Sequence, residues 1–309
     1  MTLSKKQCNN IKNWMYRNAR PIDIARWKYH FENGSELDVL TALSAYQNDD
    51  GGFGYALEAD SWNPNSSPIQ TWVATEILYE LGITNKNNPI VKGILSYLES
   101  GKDYRDGYWY AEVPSNNDYP HAPWWTHGDN VIEEWGYNPT ACLIGFILLF
   151  AEKSSRLYKQ AEVIAKKAVK ELLSSDLIKD MHELLCFIRL YEYSEKSGNC
   201  NIFDMDILKA KLIEQVQGAI THDKEKWSTC YVCKPSQFFY SSSSIFYEAN
   251  KAIADYEVEF IIESMAPDGY WDINWSWQSY PNEWAISKNW WKANKVISNL
   301  RYLKGFGCL

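Results

Sequence analysis

Apolar residues recur along this chain at helical spacing. Ile90, Val91, Ile94, Leu95 and Leu98 form one stripe, and Ile164, Ala165, Ala168, Val169 and Leu172 form a second. Leu177, Ile178, Met181, Leu184, Leu185 and Ile188 predict a third helical face. Further helices are expected near 4–17, 22–32, 36–47, 68–81, 139–151, 205–217, 244–264 and 282–303. Ser67-Pro68, Asn88-Pro89 and Asn138-Pro139 each put a capping residue before a proline suited to the first helical position. Ser35 with Asp38 resembles a capping box. No long apolar–polar alternation predicts a strand. The expected class is all-α, with ten or eleven helices.

A short motif punctuates this pattern. Asp50-Gly51-Gly52-Phe53, Asp106-Gly107-Tyr108-Trp109 and Asp268-Gly269-Tyr270-Trp271 lie 56 and 162 residues apart, and 162 is three times 54. A unit of 54–56 residues holds two helices and a loop, and 309 residues hold five to six such hairpins. Asp-Gly supplies a tight turn with positive φ, and the aromatic after it can pack on a neighbouring unit. Asp50, Asp106 and Asp268 are therefore expected to be structural.

The segment LTALSAYQNDDGGFG, with Gln47, Asp50, Gly51, Gly52 and Phe53, resembles the glutamine–tryptophan repeat of squalene and oxidosqualene cyclases and of protein prenyltransferase β subunits. The two DGYW copies are similar to that repeat without its glutamine. The resemblance implies one α/α toroid over residues 1–309, an (α/α)5-6 barrel of helical hairpins around a central cavity. The (α/α)6 barrel of glycosidases and polysaccharide lyases is the alternative. The family's catalytic strings are missing. Its Asp-x-Asp-Asp acid motif is matched only by Gln47-Asn48-Asp49-Asp50, and no Asp-x-Cys zinc pair occurs.

Composition narrows the chemistry. The chain carries 15 Trp, 21 Tyr and 11 Phe, which excludes disorder and coiled coil. A net charge of −8 argues against a nucleic-acid partner. The longest apolar run, Ala141 to Ala151, is too short to span a bilayer, and the start MTLSKKQCNN has no signal-peptide pattern. Seven cysteines do not suit a secreted disulfide framework, so a cytoplasmic protein is expected. Residues 1–34 hold a local charge of +5 and include Ile11, Trp14, Met15 and Trp27. A solvated basic helix is the plainer reading, and weak contact with an acidic membrane surface is the other. Cys230 and Cys233, downstream of His222 and Asp223, make a single CxxC, expected to be two packed thiols rather than a metal site. No phosphate loop, dinucleotide fingerprint or Gly-x-Ser-x-Gly occurs, and neither cofactor nor metal is expected.

Three clusters of aromatics and carboxylates carry the candidate chemistry. The first holds Tyr55, Glu58, Asp60, Trp62 and Asn63. The second runs over 117–138 and holds His121, Trp124, Trp125, His127, Asp129, Glu133, Glu134 and Trp135. The third holds Asp272, Asn274, Trp275, Trp277, Tyr280, Glu283 and Trp284. In a toroid these loops would share one end of the barrel. Carboxylates in an aromatic surround can be driven to different pKa values, giving an acid and a base. Glu58, Asp60, His127, Asp129 and Glu283 are the catalytic candidates. Tyr55, Trp62, His121, Trp124, Trp125, Glu134, Trp275 and Trp277 are the substrate-binding ones. The resemblance implies a small organic, possibly isoprenoid, substrate in an aromatic cavity. The polar richness of the clusters suits a carbohydrate as well, and a non-catalytic binding protein is the third reading.

Overall fold

A computed structural model describes residues 2–178, 180–198 and 201–309, and the side chain of Glu133 lies outside what it describes. Among the described residues the protein is helical. The elements are α1 (Lys5–Asn18), α2 (Pro21–Phe31), α3 (Glu36–Ser44), α4 (Pro68–Glu80), α5 (Pro89–Ser100), α6 (Val131–Trp135), α7 (Thr140–Phe150), α8 (Arg156–Ser174), α9 (Met181–Ser197), α10 (Met205–Ala219), α11 (Tyr247–Glu263) and α12 (Pro281–Gly305). The only strands among them are β1 (Tyr104–Arg105) and β2 (Tyr108–Trp109), an antiparallel hairpin closed by Asp106-Gly107. No described helix is long and apolar enough to cross a membrane.

The capping signals act as the sequence implies at two of the three prolines. Ser67 accepts from Gln70 N at the start of α4, and Asn88 accepts from Ile90 N at the start of α5. Ser35 and Asp38 form the reciprocal box, with Asp38 N to Ser35 Oγ at 3.1 Å. Asn138 does not cap. The Asn138–Pro139 peptide is cis, α7 begins at Thr140, and Asn138 Oδ1 instead accepts from Cys186 Sγ. The third stripe also starts later than its pattern implies. Asp180 caps α9, so Leu177 and Ile178 stand outside it, and Ile178 N donates to Gln215 Oε1 at 2.7 Å.

Internal contacts group the chain into two compact units, residues 43–215 and residues 1–42 with 216–309. In the first unit α7 is apolar all round and buried throughout except at half-buried Leu149, as such a helix must be. The apolar stripes of α8 and α9 pack on it. In the second unit Ile11, Trp14 and Met15 of α1 and Trp27 of α2 share a core with Ile261 of α11 and Val296 and Leu300 of α12. This corrects the membrane-surface reading of residues 1–34, because their large apolar side chains are inside.

The Asp-Gly-aromatic turns join elements within each unit. Gly51 has φ +87°, and a Cβ there would lie 2.1 Å from the Gly93 carbonyl oxygen of α5. Gln47 Nε2 ties the same turn to both sides, donating to Gly51 O and Ile90 O. Asp50 Oδ1 accepts from Gly52 N and Ser66 Oγ. Gly269 repeats the close approach in the other unit, its would-be Cβ 2.3 Å from backbone atoms of Asn10 and Ile11 on α1. The buried aromatics Phe53 and Trp109 share a further device. Phe53 N donates to Thr71 Oγ1 in the first turn of α4, and Trp109 N donates to Thr140 Oγ1 in the first turn of α7. The Thr140 hydroxyl also donates to Trp109 O at 3.1 Å. Thr140→Val keeps the shape and strands both backbone groups of Trp109, so chemical denaturation is expected to show a loss of about 1–3 kcal/mol. No measurable loss would mean the hydroxyl does not hold the turn.

Candidate functional site

The first two sequence clusters meet in the unit formed by residues 43–215. After the Asp50 turn the chain folds inward, leaving Tyr55 exposed at φ +59° but burying Glu58, Asp60 and Asn63. Gln70 of α4 holds this segment from behind, donating to Asn63 O and accepting from Leu57 N. Ser61 pairs with His121 in an antiparallel bridge, Ala122 N donates to Asp60 O at 2.8 Å, and Trp62 N donates to Pro120 O at 2.9 Å. Asn63 Nδ2 reaches Asn116 Oδ1 at 2.9 Å and Ser115 Oγ at 2.8 Å, and Asn116 Nδ2 donates to Trp125 O. These bonds knit residues 57–63 to residues 115–125 in a buried polar layer.

The 117–138 segment is more ordered than a long loop. It contains the 3-10 turn Pro123–Trp125 and α6, and the 3-10 turn Pro114–Asp118 leads into it. His121 is buried, with Nδ1 2.6 Å from Tyr119 O and Nε2 3.0 Å from Thr126 Oγ1. Trp125 is buried and stacks on Trp135, ring centroids 4.8 Å apart and planes 13° apart. Trp62 and Trp124 are half-buried, while Asp129 and Glu134 are exposed. His127 is anchored by its backbone, N to Asn117 Oδ1 at 2.8 Å. Its Nδ1, Trp125 Nε1, Trp135 Nε1 and Ser61 Oγ are buried polar atoms without a hydrogen-bond partner among the described residues.

Burial also acts on a carboxyl outside the sequence candidates. Glu112 is 2% exposed, and burial pushes its pKa up to about 7. The Gly128 N–H, 3.3 Å from Oε1, pulls the other way, and the charge of Glu134 adds to the rise. Asp103 is also raised by burial, partly offset by the hydroxyl of Tyr97 at 3.0 Å. Glu58 accepts from Asp60 N at 2.9 Å, a local bond that fixes the two carboxylates' shared segment. A signal for Glu112 existed. It is a lone carboxylate in Trp109-Tyr110-Ala111-Glu112-Val113, six residues after the Asp of a DG turn, much as Glu58 follows Asp50 by eight.

The third cluster lies in the other unit. Trp277 is fully buried against Trp284, with ring centroids 5.6 Å apart. Trp275 is half-buried between Tyr231 and Trp291, edge to face with each. Glu283 is half-buried in the first turn of α12, where a carboxylate complements the helix dipole. Asp272, at the surface, pairs with Lys292 Nζ at 3.1 Å.

Cys230 and Cys233 are free thiols, and among the described residues no group of three or more His, Cys, Asp or Glu could hold a metal ion. A surface groove of about 430 Å³ along α8, lined by Val169, Leu173, Ile202 and Phe203 with Lys166 and Lys170, includes none of the candidate carboxylates. Comparison of the chain with protein-family models, with curated proteins and with solved structures finds no match.

Proposed function

We propose that the protein is an acid–base enzyme acting on a small, oxygen-bearing organic substrate, with Glu112 as the group that gives and takes the proton. One observation carries this reading. Glu112 is a buried carboxyl with a pKa near 7, where both protonation states are populated under ordinary conditions. The buried indole N–H groups of Trp125 and Trp135 suit hydroxyl, carbonyl or carboxylate oxygens of a ligand, His127 Nδ1 adds a ring nitrogen that donates or accepts according to its tautomer, and the Trp125–Trp135 stack offers an aromatic face. This chemistry is that of a sugar or sugar acid.

A second reading, an isoprenoid cyclase or transferase on an α/α toroid, draws on the DG turns. Gly51 and Gly269 each bring their turn against a helix, as a repeat that ties hairpin to hairpin requires. In that reading the aromatic faces stabilise a carbocation. A cytoplasmic location belongs to the same proposal and is supported by the free thiols of all described cysteines.

The experiment uses the full chain and a panel of mono- and disaccharides, uronic acids and prenyl diphosphates, read by thermal shift and product formation. Sugars or sugar acids are expected to raise the melting temperature and be turned over, with a pH profile breaking near 7. Glu112→Gln is expected to bind as the parent does and lose turnover about 100-fold or more. If Glu112→Gln keeps full turnover, Glu112 is not the acid–base group. If only prenyl diphosphates bind, the second reading replaces the first.

A further inference from the structure

Helix α8 has a second face besides the apolar stripe that packs on α7. Lys166, Lys170 and Leu173 follow one another at spacings of four and three, so they share one side of the helix, and all three are exposed. This row forms a groove of about 430 Å³ with Val169, at the edge of the buried stripe, and with Ile202 and Phe203, which lead into α10. Val169 and Ile202 are buried and Phe203 is half-buried. The groove lies wholly within the unit of residues 43–215 and shares no residue with the surroundings of Glu112. Its volume falls within the roughly 300–1,000 Å³ of small-molecule sites.

The lysines of α8 differ in what they touch. Lys167 lies over the Tyr108 ring and pairs with Glu171 at 3.9 Å. Lys166 and Lys170 make no ion pair or hydrogen bond among the described residues. The acidic groups nearest the groove in sequence are engaged elsewhere. Glu171 accepts from the Tyr137 hydroxyl at 2.7 Å, and Asp204 Oδ1 accepts from Asp206 N and Ile207 N at the start of α10. Two ammonium groups one turn apart therefore face the groove's rim without a counter-charge from the protein.

They also sit towards one end of it. Long side chains on a helix lean towards its N-terminus, which carries the two charges away from Leu173. Leu173 stands in the last turn of α8, where the helix dipole is negative and disfavours an anion. The groove thus has a cationic end and an apolar end. From Lys166 to Ser174 the helix rises about 12 Å, close to the length of an extended decanoate. A flat lipid surface would leave the apolar floor unfilled, whereas an amphiphile with one charge and one tail matches both ends. We propose that this groove binds a medium-chain fatty carboxylate, its head at Lys166 and Lys170 and its alkyl chain over Val169, Leu173, Ile202 and Phe203.

The test titrates the full-length protein with sodium decanoate below its micelle concentration and follows the backbone amides by NMR. One saturable site is expected, with a Kd of about 1 mM or below and shifts centred on residues 166–174 and 201–204. Decanol lacks the charge and acetate lacks the tail, so each is expected to bind at least about fivefold more weakly. Replacing both lysines, as Lys166→Gln with Lys170→Gln, is expected to weaken decanoate binding about fivefold and to remove its salt dependence, with the urea midpoint unchanged. Leu173→Asn is expected to weaken decanoate and decanol alike. Absence of saturable shifts at these residues, or an affinity unmoved by both variants, overturns the proposal. A dimer that Leu173→Asn dissociates would give the groove to a second copy of the chain and overturn it too. Binding to anionic vesicles without binding of decanoate would give the face to a membrane surface, with the same result.

Discussion

The protein is expected to be less stable to urea at pH 7.5 than at pH 5. Glu112 and Glu257 are both almost fully buried, and both are raised from 4.5 to about 7. Between those values the folded chain holds protons that the unfolded chain has released. The unfolded state then binds fewer protons, so unfolding free energy falls as pH rises from about 4.5 to 7. Glu257 contributes up to about 3 kcal/mol on this basis, and Glu112, less completely desolvated, contributes less. Asp103, Glu183 and Glu192 shift in the same direction, each chiefly through burial. Lys295 works in the opposite sense. Its folded value near 8 lies below the ordinary 10.5, so the folded state binds fewer protons between those limits and stability rises with pH there. Lys234 and Lys196 add to that rise, again through burial. Below about pH 4.5 the lowered carboxyls of Asp50, Asp180 and Asp272 make stability fall with acid. Above about pH 8 the buried thiols of Cys142 and Cys186 and the buried tyrosines Tyr97 and Tyr193, all raised by burial, oppose that lysine contribution, so the fall from pH 5 to 7.5 is the expected signature. Urea midpoints at pH 5, 6 and 7.5 check this, with a drop of about 2 kcal/mol or more from pH 5 to 7.5 expected. Glu257→Gln should shrink that drop, and a profile flat or rising from pH 5 to 7.5 would refute the argument.

Such buried carboxyls mark the boundary between what the sequence discloses and what only folding creates. The stripes of α5, α8 and the body of α9 were legible because one-face burial imposes its period on neighbouring residues. Ser67 and Asn88 were legible because capping is local, and Asn138 was misread because its partner, Cys186, is 48 residues away. Leu177 and Ile178 continued the α9 stripe in sequence, yet Asp180 starts the helix after them. The two DG turns against α5 and α1 were legible as turns, while their partners, Gly93 and Asn10, carry no motif. For the candidate site, Glu58, Asp60, Trp125 and His121 were legible as a density of polar and aromatic residues. That the first two clusters join through Asn63 and Asn116 was not, because a hydrogen bond spanning 53 residues leaves no period. Glu112 escaped for a different reason. What singles it out is desolvation, a property of everything packed around it, and Ala111 and Val113 show only a fragment of that surround.

Replacing Arg189 by methionine is expected to cost about 3–5 kcal/mol at pH 7.5, the largest single-residue loss anticipated for this chain. Arg189, on α9, is 11% exposed and grips Glu76 of α4 with two parallel bonds, Nε to Oε1 at 2.8 Å and Nη2 to Oε2 at 2.7 Å. Its remaining nitrogen, Nη1, binds Glu192, and its guanidinium stacks 3.6 Å from the centroid of the Tyr79 ring. The fork geometry suits arginine and not lysine, so Arg189→Lys should recover only part of the loss. The cost arises from what the substitution leaves behind. Glu76 and Glu192 would remain partly buried as like charges, left with weak or neutral donors, Cys142 Sγ to Glu76 and the Tyr79 hydroxyl to Glu192, and with Lys196 over the Tyr79 ring acting on Glu192. Losing the guanidinium removes the main influence that lowers the Glu192 pKa, so Glu192 would bind its proton at higher pH. The penalty should accordingly shrink as pH is lowered from 7.5 to 5, because protonation of Glu192 removes one of the two stranded charges. Converting all three residues together, as Glu76→Gln, Arg189→Met and Glu192→Gln, removes the charges with their partner and should restore most of the stability. Urea denaturation at both pH values, with an unchanged slope as the control for two-state behaviour, measures each step. If Arg189→Met costs less than about 1 kcal/mol at pH 7.5, the pair behaves as a solvent-screened surface contact. The tie between α4 and α9 would then rest on the packing of Tyr193 against Tyr79 and on its hydroxyl bond to Thr75 O.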